Sequence, residues 1–358
     1  MASERLERLR QTFVERGLDG GLIRSGAGLR YFFGFTGSNG LAVVLPDRVV
    51  FFTDRRYETQ AADEVAGAEV VTRYRNLFQG LETSGLLAEK LQLGFEADVL
   101  TFSQANYLFE KFPGVRWEPL EGLVAGLTEV KTPEEIATLE SAAQICCQVF
   151  EELKPRLHAG LTERQVAAML QYELAVAGCE GQAFEPIVAS GPRSALPHAQ
   201  PTHRALREGD FLILDFGCRI DGYTADFTRT LCVGKPTQRQ REVYEAVRLA
   251  NELAIREARP GLTGGELDAL VRDFLRVRGF DEEFNHGLGH GLGLDVHGLP
   301  RVTKDSRDAL RPGHVFTIEP GVYLPGWGGV RIEDDVVLEE DGARVLTPAP
   351  KELFCVAA

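Results

Sequence analysis

The sequence predicts an α/β N-terminal domain over residues 1–125 and an α+β C-terminal domain over residues 126–358, the second built from two related halves. Three observations predict this. A chain of 358 residues exceeds one small domain and points to about two. The first third alternates helical and strand-like apolar spacing. The remainder repeats its own landmarks at nearly constant offsets.

In the first domain Leu6, Leu9 and Phe13 recur at helical spacing, while Gly21-Leu22-Ile23, Leu41-Ala42-Val43-Val44 and Val49-Val50-Phe51-Phe52 read as short buried strands. Few residues there carry obvious chemistry. The stretch from Glu121 to Thr128 reads as a linker. A helix then opens at Thr132-Pro133-Glu134-Glu135, where Thr suits the N-cap, Pro the first turn, and Glu135 completes a capping box. Ile136, Leu139, Ala143, Cys146, Phe150 and Leu153 give that helix one apolar face.

The duplication follows. Gly160-Leu161-Thr162 recurs as Gly261-Leu262-Thr263, 101 residues later. Each Thr opens a helix by a capping box with Gln165 or Glu266, and the helices end near Gly178 and Gly279. Leu206-Arg207 with Gly209 recurs as Leu310-Arg311 with Gly313, 104 residues later. Each leads into an apolar strand-like run that ends in a carboxylate, Asp215 and Glu319. A pseudo-two-fold axis relating the halves would bring those acids together.

Composition excludes some functions. A net charge of −14, with Lys and Arg scattered among acids, leaves no basic patch for nucleic acid. No apolar run approaches the ~18 residues of a membrane span, and the N-terminus has no signal-peptide core. Neither nucleic acid nor membrane is therefore expected as a partner. The six cysteines show no C-x-x-C spacing and read as buried free thiols of a cytoplasmic protein.

The chemistry concentrates in the second domain. Asp215 and Asp226 lie eleven residues apart across a glycine-containing turn, which suits adjacent strands of a hairpin. Glu319 ends the strand-like run Val315-Phe316-Thr317-Ile318, and Glu333 lies within a strand-like stretch from Val330 to Leu338. A carboxylate in an apolar strand is costly unless it is paired or bound to a cation. Either acid of the first pair alone could simply form an ion pair with Arg219 or Arg229. Three of seven histidines, His286, His290 and His297, fall within twelve glycine-rich residues, and His198 stands in a loop of the first half. Four acids and a histidine form a hard, oxygen-rich donor set, and two cations would balance four inward carboxylates better than one.

These residues, Asp215, Asp226, His290, Glu319 and Glu333, with His286-x-x-x-His290 and His297, resemble the pita-bread metallopeptidases, which include aminopeptidase P, prolidase and methionine aminopeptidase. Tyr31-Phe32 to Gly40, and Phe52-Thr53-Asp54-Arg55-Arg56-Tyr57, resemble the creatinase-type N-terminal domain of the Xaa-Pro branch. The resemblance implies two divalent metal ions, Mn²⁺ first with Co²⁺ or Zn²⁺ as alternatives. Asp226 and Glu333 would bridge them, Asp215 would chelate one, and His290 with Glu319 would complete the other. It also implies that Glu319 takes a proton from the attacking water. His286 and His297 would steady the tetrahedral oxyanion, and His198 would stand near the scissile bond. Tyr223, Tyr323 and Arg331 are candidates for support around the ligands, with Arg331 orienting a carboxylate. Arg301 could bind a free C-terminal carboxylate.

The implied reaction is hydrolysis of the bond between an N-terminal residue and proline, by a homodimer. Aminopeptidase P is the first expectation and a dipeptidase the close second. Two other classes compete: a metal-free amidinohydrolase of the creatinase kind, and a non-catalytic peptide-binding protein.

Overall fold

A computed structural model of the chain describes residues 2–87, 90–280 and 282–358. It divides into two compact units, Met1–Leu127 and Thr128–Ala358.

The first unit runs α1 (Ala2–Glu15), β1 (Gly20–Ile23), α2 (Gly26–Phe33), β2 (Gly40–Val44), β3 (Val49–Thr53) and α3 (Glu58–Glu64). It continues with β4 (Glu69–Val71), α4 (Leu77–Ser84), β5 (Gln92–Glu96), α5 (Phe102–Lys111), β6 (Arg116–Leu120) and α6 (Leu123–Thr128). Its strands form one six-stranded mixed sheet in the order β4-β3-β2-β1-β5-β6. Leu6, Leu9 and Phe13 of α1 are buried, as their spacing requires. The expected linker at 121–128 is instead largely helical, because Leu123 and Val124 are buried and fold the segment against the unit.

In the second unit the first half contains α7 (Pro133–Leu153), α8 (Glu163–Val176), β7 (Gly181–Gln182), β8 (Ile187–Ser190) and β9 (Phe211–Phe216). It ends with β10 (Cys218–Ile220), β11 (Tyr223–Thr224) and β12 (Phe227–Val233). The second half contains α9 (Gln238–Glu257), α10 (Gly264–Arg276), β13 (Gly289–Gly291), β14 (Gly298–Val302) and β15 (Val315–Ile318). It closes with β16 (Gly321–Leu324), β17 (Gly328–Arg331), β18 (Asp334–Glu339), β19 (Gly342–Val345) and β20 (Cys355–Val356).

The internal repeat is visible in hydrogen bonds. Capping boxes open α7 and α9 at Thr132 and Thr237, and α8 and α10 at Thr162 and Thr263. Isolated bridges join Thr162 to Ala205 and Thr263 to Ala309. Gly160 N–H donates to Leu206 O at 3.0 Å, and Gly261 N–H to Leu310 O at 3.1 Å. Each half packs its helix pair on its own apolar cluster, one including Leu139, Val166, Leu212 and Leu214, the other Val247, Leu267, Phe316 and Ile318. Along β9 the alternation sends Leu212, Leu214 and Phe216 into the first cluster and turns Asp215 to the opposite face.

Two local expectations are corrected and one is met. Cys179 and Cys218 are joined in a disulfide rather than free, since β7 pairs with β10 and brings the turn after α8 to 5.7 Å (Cα–Cα) from Cys218. Their separation of 39 positions gave no spacing signal. Cys146, Cys147, Cys232 and Cys355 are free, but only Cys146 and Cys232 are buried as expected; Cys147 is half-buried and Cys355, near the chain end in β20, is exposed. The hairpin expected between Asp215 and Asp226 is present: β9 pairs antiparallel with β12 and β10 with β11 in one register, with Thr228 opposite Asp215, and the chain turns at Asp221-Gly222. The run from Val330 to Leu338 is two strands, with Ile332 and Glu333 at the break.

Candidate active site

Two sheets of the second unit, β20-β12-β9-β8 and β14-β13-β15-β18-β19, deliver their acids to one place. Asp215 is the penultimate residue of β9, Asp226 immediately precedes β12, Glu319 immediately follows β15, and Glu333 lies between β17 and β18. His290 is the central residue of β13. A Cβ on Gly289 would fall 1.9 Å from Thr317 O, and one on Gly291 1.9 Å from Leu299 O. Only glycine on both sides allows β13 to run this close to its neighbours and aim the imidazole inward.

One ligand atom each from Asp226, His290 and Glu333 lie within 4.8 Å of one another. His290 Nε2 stands 3.8 Å from Asp226 Oδ2 and 3.5 Å from Glu319 Oε1. Its Nδ1 faces Gly291 O at 3.3 Å. That contact places the proton on Nδ1 and leaves Nε2 as the lone-pair donor. Burial, then the neighbouring His297, hold His290 down at about 4, so the ring is neutral at physiological pH. Burial and the surrounding acids push Asp226 and Glu333 well above the usual carboxylate range. Burial also raises Glu319 to about 8.

A divalent cation fits this donor set. Asp215 Oδ1, Asp226 Oδ1 and Glu333 Oε1 are buried and have no hydrogen-bond partner among the described residues. Orphaned buried carboxylate oxygens are expensive, and a cation satisfies them together. Two of the remaining carboxylate oxygens are held by the protein. Asp215 Oδ2 accepts from Arg331 Nη2 at 2.5 Å, and Glu333 Oε2 accepts from Thr228 Oγ1 at 2.6 Å.

Arg331 is the centre of the supporting network. Besides Asp215, it donates to Thr228 Oγ1 at 3.3 Å, Pro197 O at 3.3 Å and Tyr323 Oη at 2.7 Å. Since Tyr323 Oη accepts from Arg331, its own proton points to His286 Nε2, 2.9 Å away. His286 Nδ1 in turn faces Gly287 O at 2.8 Å. Burial, then Arg331, hold His286 at about 3. The neutral ring thus has both nitrogens engaged, and in this arrangement it braces Tyr323 rather than offering a free N–H to an oxyanion.

A cavity of about 610 Å³ covers the site and is lined by Asp215, Asp226, His290, Glu319 and Glu333. His198, His286, His297, Arg301 and Arg331 also line it. His198 and His297 are exposed there, and the His297 ring centre lies 4.4 Å from that of His290. Arg301 stands opposite His290 in the β13–β14 pair, so both side chains leave the same face. Tyr223 does not line the cavity; its hydroxyl donates to Glu135 Oε1 at 2.8 Å on α7. Residues that the sequence did not single out also matter. Thr228 fixes Glu333, and Asp335 Oδ2 accepts from Asp226 N–H at 3.0 Å. Strand alternation from Asp226 and Glu333 was the available signal, since each lies two residues beyond an acid.

Residues 137–340 match the model of metallopeptidase family M24, and residues 5–130 match the creatinase/prolidase N-terminal domain. An uncharacterized peptidase, YqhT, of Bacillus subtilis is 40% identical over 98% of this chain and 99% of its own. An Xaa-Pro dipeptidase from Bacillus anthracis superposes with a TM-score of 0.94 at 39% identity, covering 99% of this chain and 100% of its own. An X-Pro aminopeptidase from Thermotoga maritima gives 0.91 at 36% identity, covering 98% and 99%. The chain belongs to metallopeptidase family M24 and has the pita-bread fold behind a creatinase-type N-terminal domain. Its structural neighbours are Xaa-Pro peptidases of both kinds.

Proposed function

We propose that this chain is a two-metal Xaa-Pro peptidase acting on peptides with proline in second position, and that dipeptides are its preferred substrates. The compact Asp226–His290–Glu333 donor group, flanked by Glu319 and Asp215, supports the hydrolytic reading. Asp226 and Glu333, each with a free buried oxygen, would serve both ions, with Mn²⁺ first and Co²⁺ or Zn²⁺ as alternatives. When bound, such ions supply Lewis acidity that polarises a carbonyl and makes a water acidic near neutral pH. Glu319, 3.5 Å from His290 Nε2, would be the residue to hold the proton released there. His297 and His198, exposed in the cavity, would meet the developing charge and the proline-side group.

An Xaa-Pro bond is a tertiary amide without an N–H, so recognition must come from the ends of the substrate. Arg301 supports the dipeptide preference over the aminopeptidase P expectation. Arg301 lines the cavity and leaves the same strand face as His290, and among the described residues its guanidinium is held by no side-chain hydrogen bond or ion pair, only its backbone N–H donating to Asp308. A free carboxylate one residue beyond the scissile bond would pair with it. No helix among the described residues is long and apolar enough to cross a membrane. A cytoplasmic homodimer belongs to the same proposal, and a sedimentation mass equal to one chain would count against the dimer.

The deciding measurement compares Xaa-Pro dipeptides with Xaa-Pro-Yaa tripeptides under Mn²⁺, Co²⁺ and Zn²⁺, for the wild type and Arg301→Gln. A charge-assisted contact predicts a KM for dipeptides raised about 10- to 100-fold in the variant, with tripeptides unmoved. Faster tripeptide cleavage, indifferent to Arg301, would reverse the preference. Full activity after exhaustive chelation would end the metal reading.

A further inference from the structure

Outside the donor group, a second buried carboxylate organises this cavity. Glu163 is the first residue of α8 and has no solvent exposure. Its Oε1 accepts from Ser190 N–H at 2.9 Å and Ser190 Oγ at 2.8 Å. Its Oε2 accepts from Thr202 N–H at 2.9 Å and Thr202 Oγ1 at 2.6 Å. Arg193 Nε donates to both oxygens, at 3.3 and 3.1 Å. One side chain therefore ties together the start, the interior and the end of the segment 190–202. Burial works against the charge, but the Thr202 and Ser190 donors hold this carboxyl below its ordinary range, so it is ionised and every lone-pair direction has a donor.

The tied segment enters the proposed active site at its middle. Pro197 O accepts from Arg331 Nη1 at 3.3 Å, on the same guanidinium that holds Asp215. His198, next along, projects exposed into the cavity. Arg193 Nη2 adds a strut across the loop to Gln200 O at 2.6 Å. An exposed loop histidine has no packing of its own to fix it, so its position is set by the loop's anchors.

We propose that Glu163 is the positioning residue for His198: it clamps both ends of the 190–202 loop and so fixes where the imidazole meets the substrate. This rests on the Xaa-Pro peptidase reading only for its kinetic arm. Glu163 makes no contact with the cavity, so its effect must pass through the loop.

The test is a double-mutant cycle on the metal-loaded enzyme, using wild type, Glu163→Gln, His198→Ala and the pair, with hydrogen exchange at the Ser190 and Thr202 amides read in parallel. In Glu163→Gln the new amide NH₂ faces donors. Both protected amides should then exchange faster, metal stoichiometry should stay at the wild-type value, and kcat/KM should fall about 10- to 100-fold, the cost of misplacing a reacting group by about an ångström. In the His198→Ala background the same change should add less than about two-fold. Equal losses in both backgrounds, or unaltered exchange at both amides, overturn the proposal. Thr202→Val, which removes the hydroxyl that donates to Glu163 and accepts from Arg204 N–H but keeps the Thr202 amide on Glu163, gives the same pattern at smaller amplitude and serves if Glu163→Gln does not fold. If the wild type cleaves no Xaa-Pro peptide, the exchange arm still decides whether Glu163 clamps the loop, and that failure belongs to the functional reading alone.

Discussion

The two halves of the catalytic unit share a skeleton and divide the chemistry unequally. Position for position, α8 and α10 open on matching capping boxes, and their N-cap threonines form matching isolated bridges, Thr162 to Ala205 and Thr263 to Ala309. Yet the first residue of the helix is Glu163 in one half and Gly264 in the other. Glu163 reaches outward to grip a loop, whereas Gly264 is pressed against a strand: a Cβ there would lie 2.0 Å from Arg301 O. One half thus positions His198 by hydrogen bonds, and the other positions Arg301 by close backbone packing. Likewise the equivalent strand ends carry Asp215 and Glu319, but the histidine of the Asp226–His290–Glu333 group comes from the second half. Duplication explains where functional side chains stand, and later divergence explains what each one does.

The sharpest break of this comparison is removal of a ligand shared by the halves. Asp226→Ala and Glu333→Ala should each reduce turnover to background and lower bound metal, measured by elemental analysis, because each side chain offers a buried free oxygen. The metal-free wild type should also lose stability as pH rises. Glu319 has a folded value raised to about 8, so it favours folding while protonated, and that contribution disappears as pH climbs from its unfolded value of about 4.3. Asp226 and Glu333 shift in the same direction. His286 and His290, held at about 3 and about 4, oppose this trend only below about 6.5. Between pH 6.5 and 8 the carboxyls act alone, and Tm of the chelated protein should fall by roughly 5–10 °C. Mn²⁺ should flatten that slope; an equally steep slope in the loaded protein would contradict a cation among these acids.

A smaller effect distinguishes the two modes of positioning. Gly264→Ala should gain up to about 1 kcal/mol of helix propensity. The overlap with Arg301 O is against backbone, which cannot swing aside, and overpacking of this kind costs about 1–3 kcal/mol. The net change should be destabilising in urea titration, with a raised dipeptide KM as Arg301 moves. A stabilised variant with unchanged KM would show that the strand tolerates displacement and that Arg301 is placed by something else.

Much of this site was legible in the sequence because it obeys local rules. Asp215 and Glu319 follow apolar runs that could only be strands, and the glycines around His290 mark a backbone that must pass close to others. The repeat was readable because Thr162 and Thr263 announce helix starts by chemistry that does not depend on context. What stayed hidden depends on distant partners. Nothing near Glu163 foretold that its donors lie at Ser190, Arg193 and Thr202. The Cys179–Cys218 pairing depends on β7 lying beside β10, a register that 39 residues of separation conceal. His286 was expected to touch the substrate, but Tyr323, 37 residues away, occupies its outward nitrogen.

The smallest expected effect comes from two tyrosines that the sequence treated alike. Tyr323 Oη joins His286 to Arg331, and through Arg331 to Asp215, so its loss should loosen the orientation of a ligand carboxylate. Removing a partner of that kind typically costs about 10- to 100-fold in activity or metal affinity, and Tyr323→Phe should fall at the lower end because Arg331 keeps its bond to Asp215. Tyr223 instead bonds Glu135 on α7. Tyr223→Phe should therefore cost about 1 kcal/mol in urea titration, as for an ordinary half-buried hydrogen bond, and leave kcat/KM within about two-fold. The paired measurement is informative because the substitutions are chemically identical. A catalytic loss in Tyr223→Phe matching that of Tyr323→Phe would mean that packing on α7 reaches the acids as strongly as the arginine network does, and the division of labour between the halves would have to be redrawn.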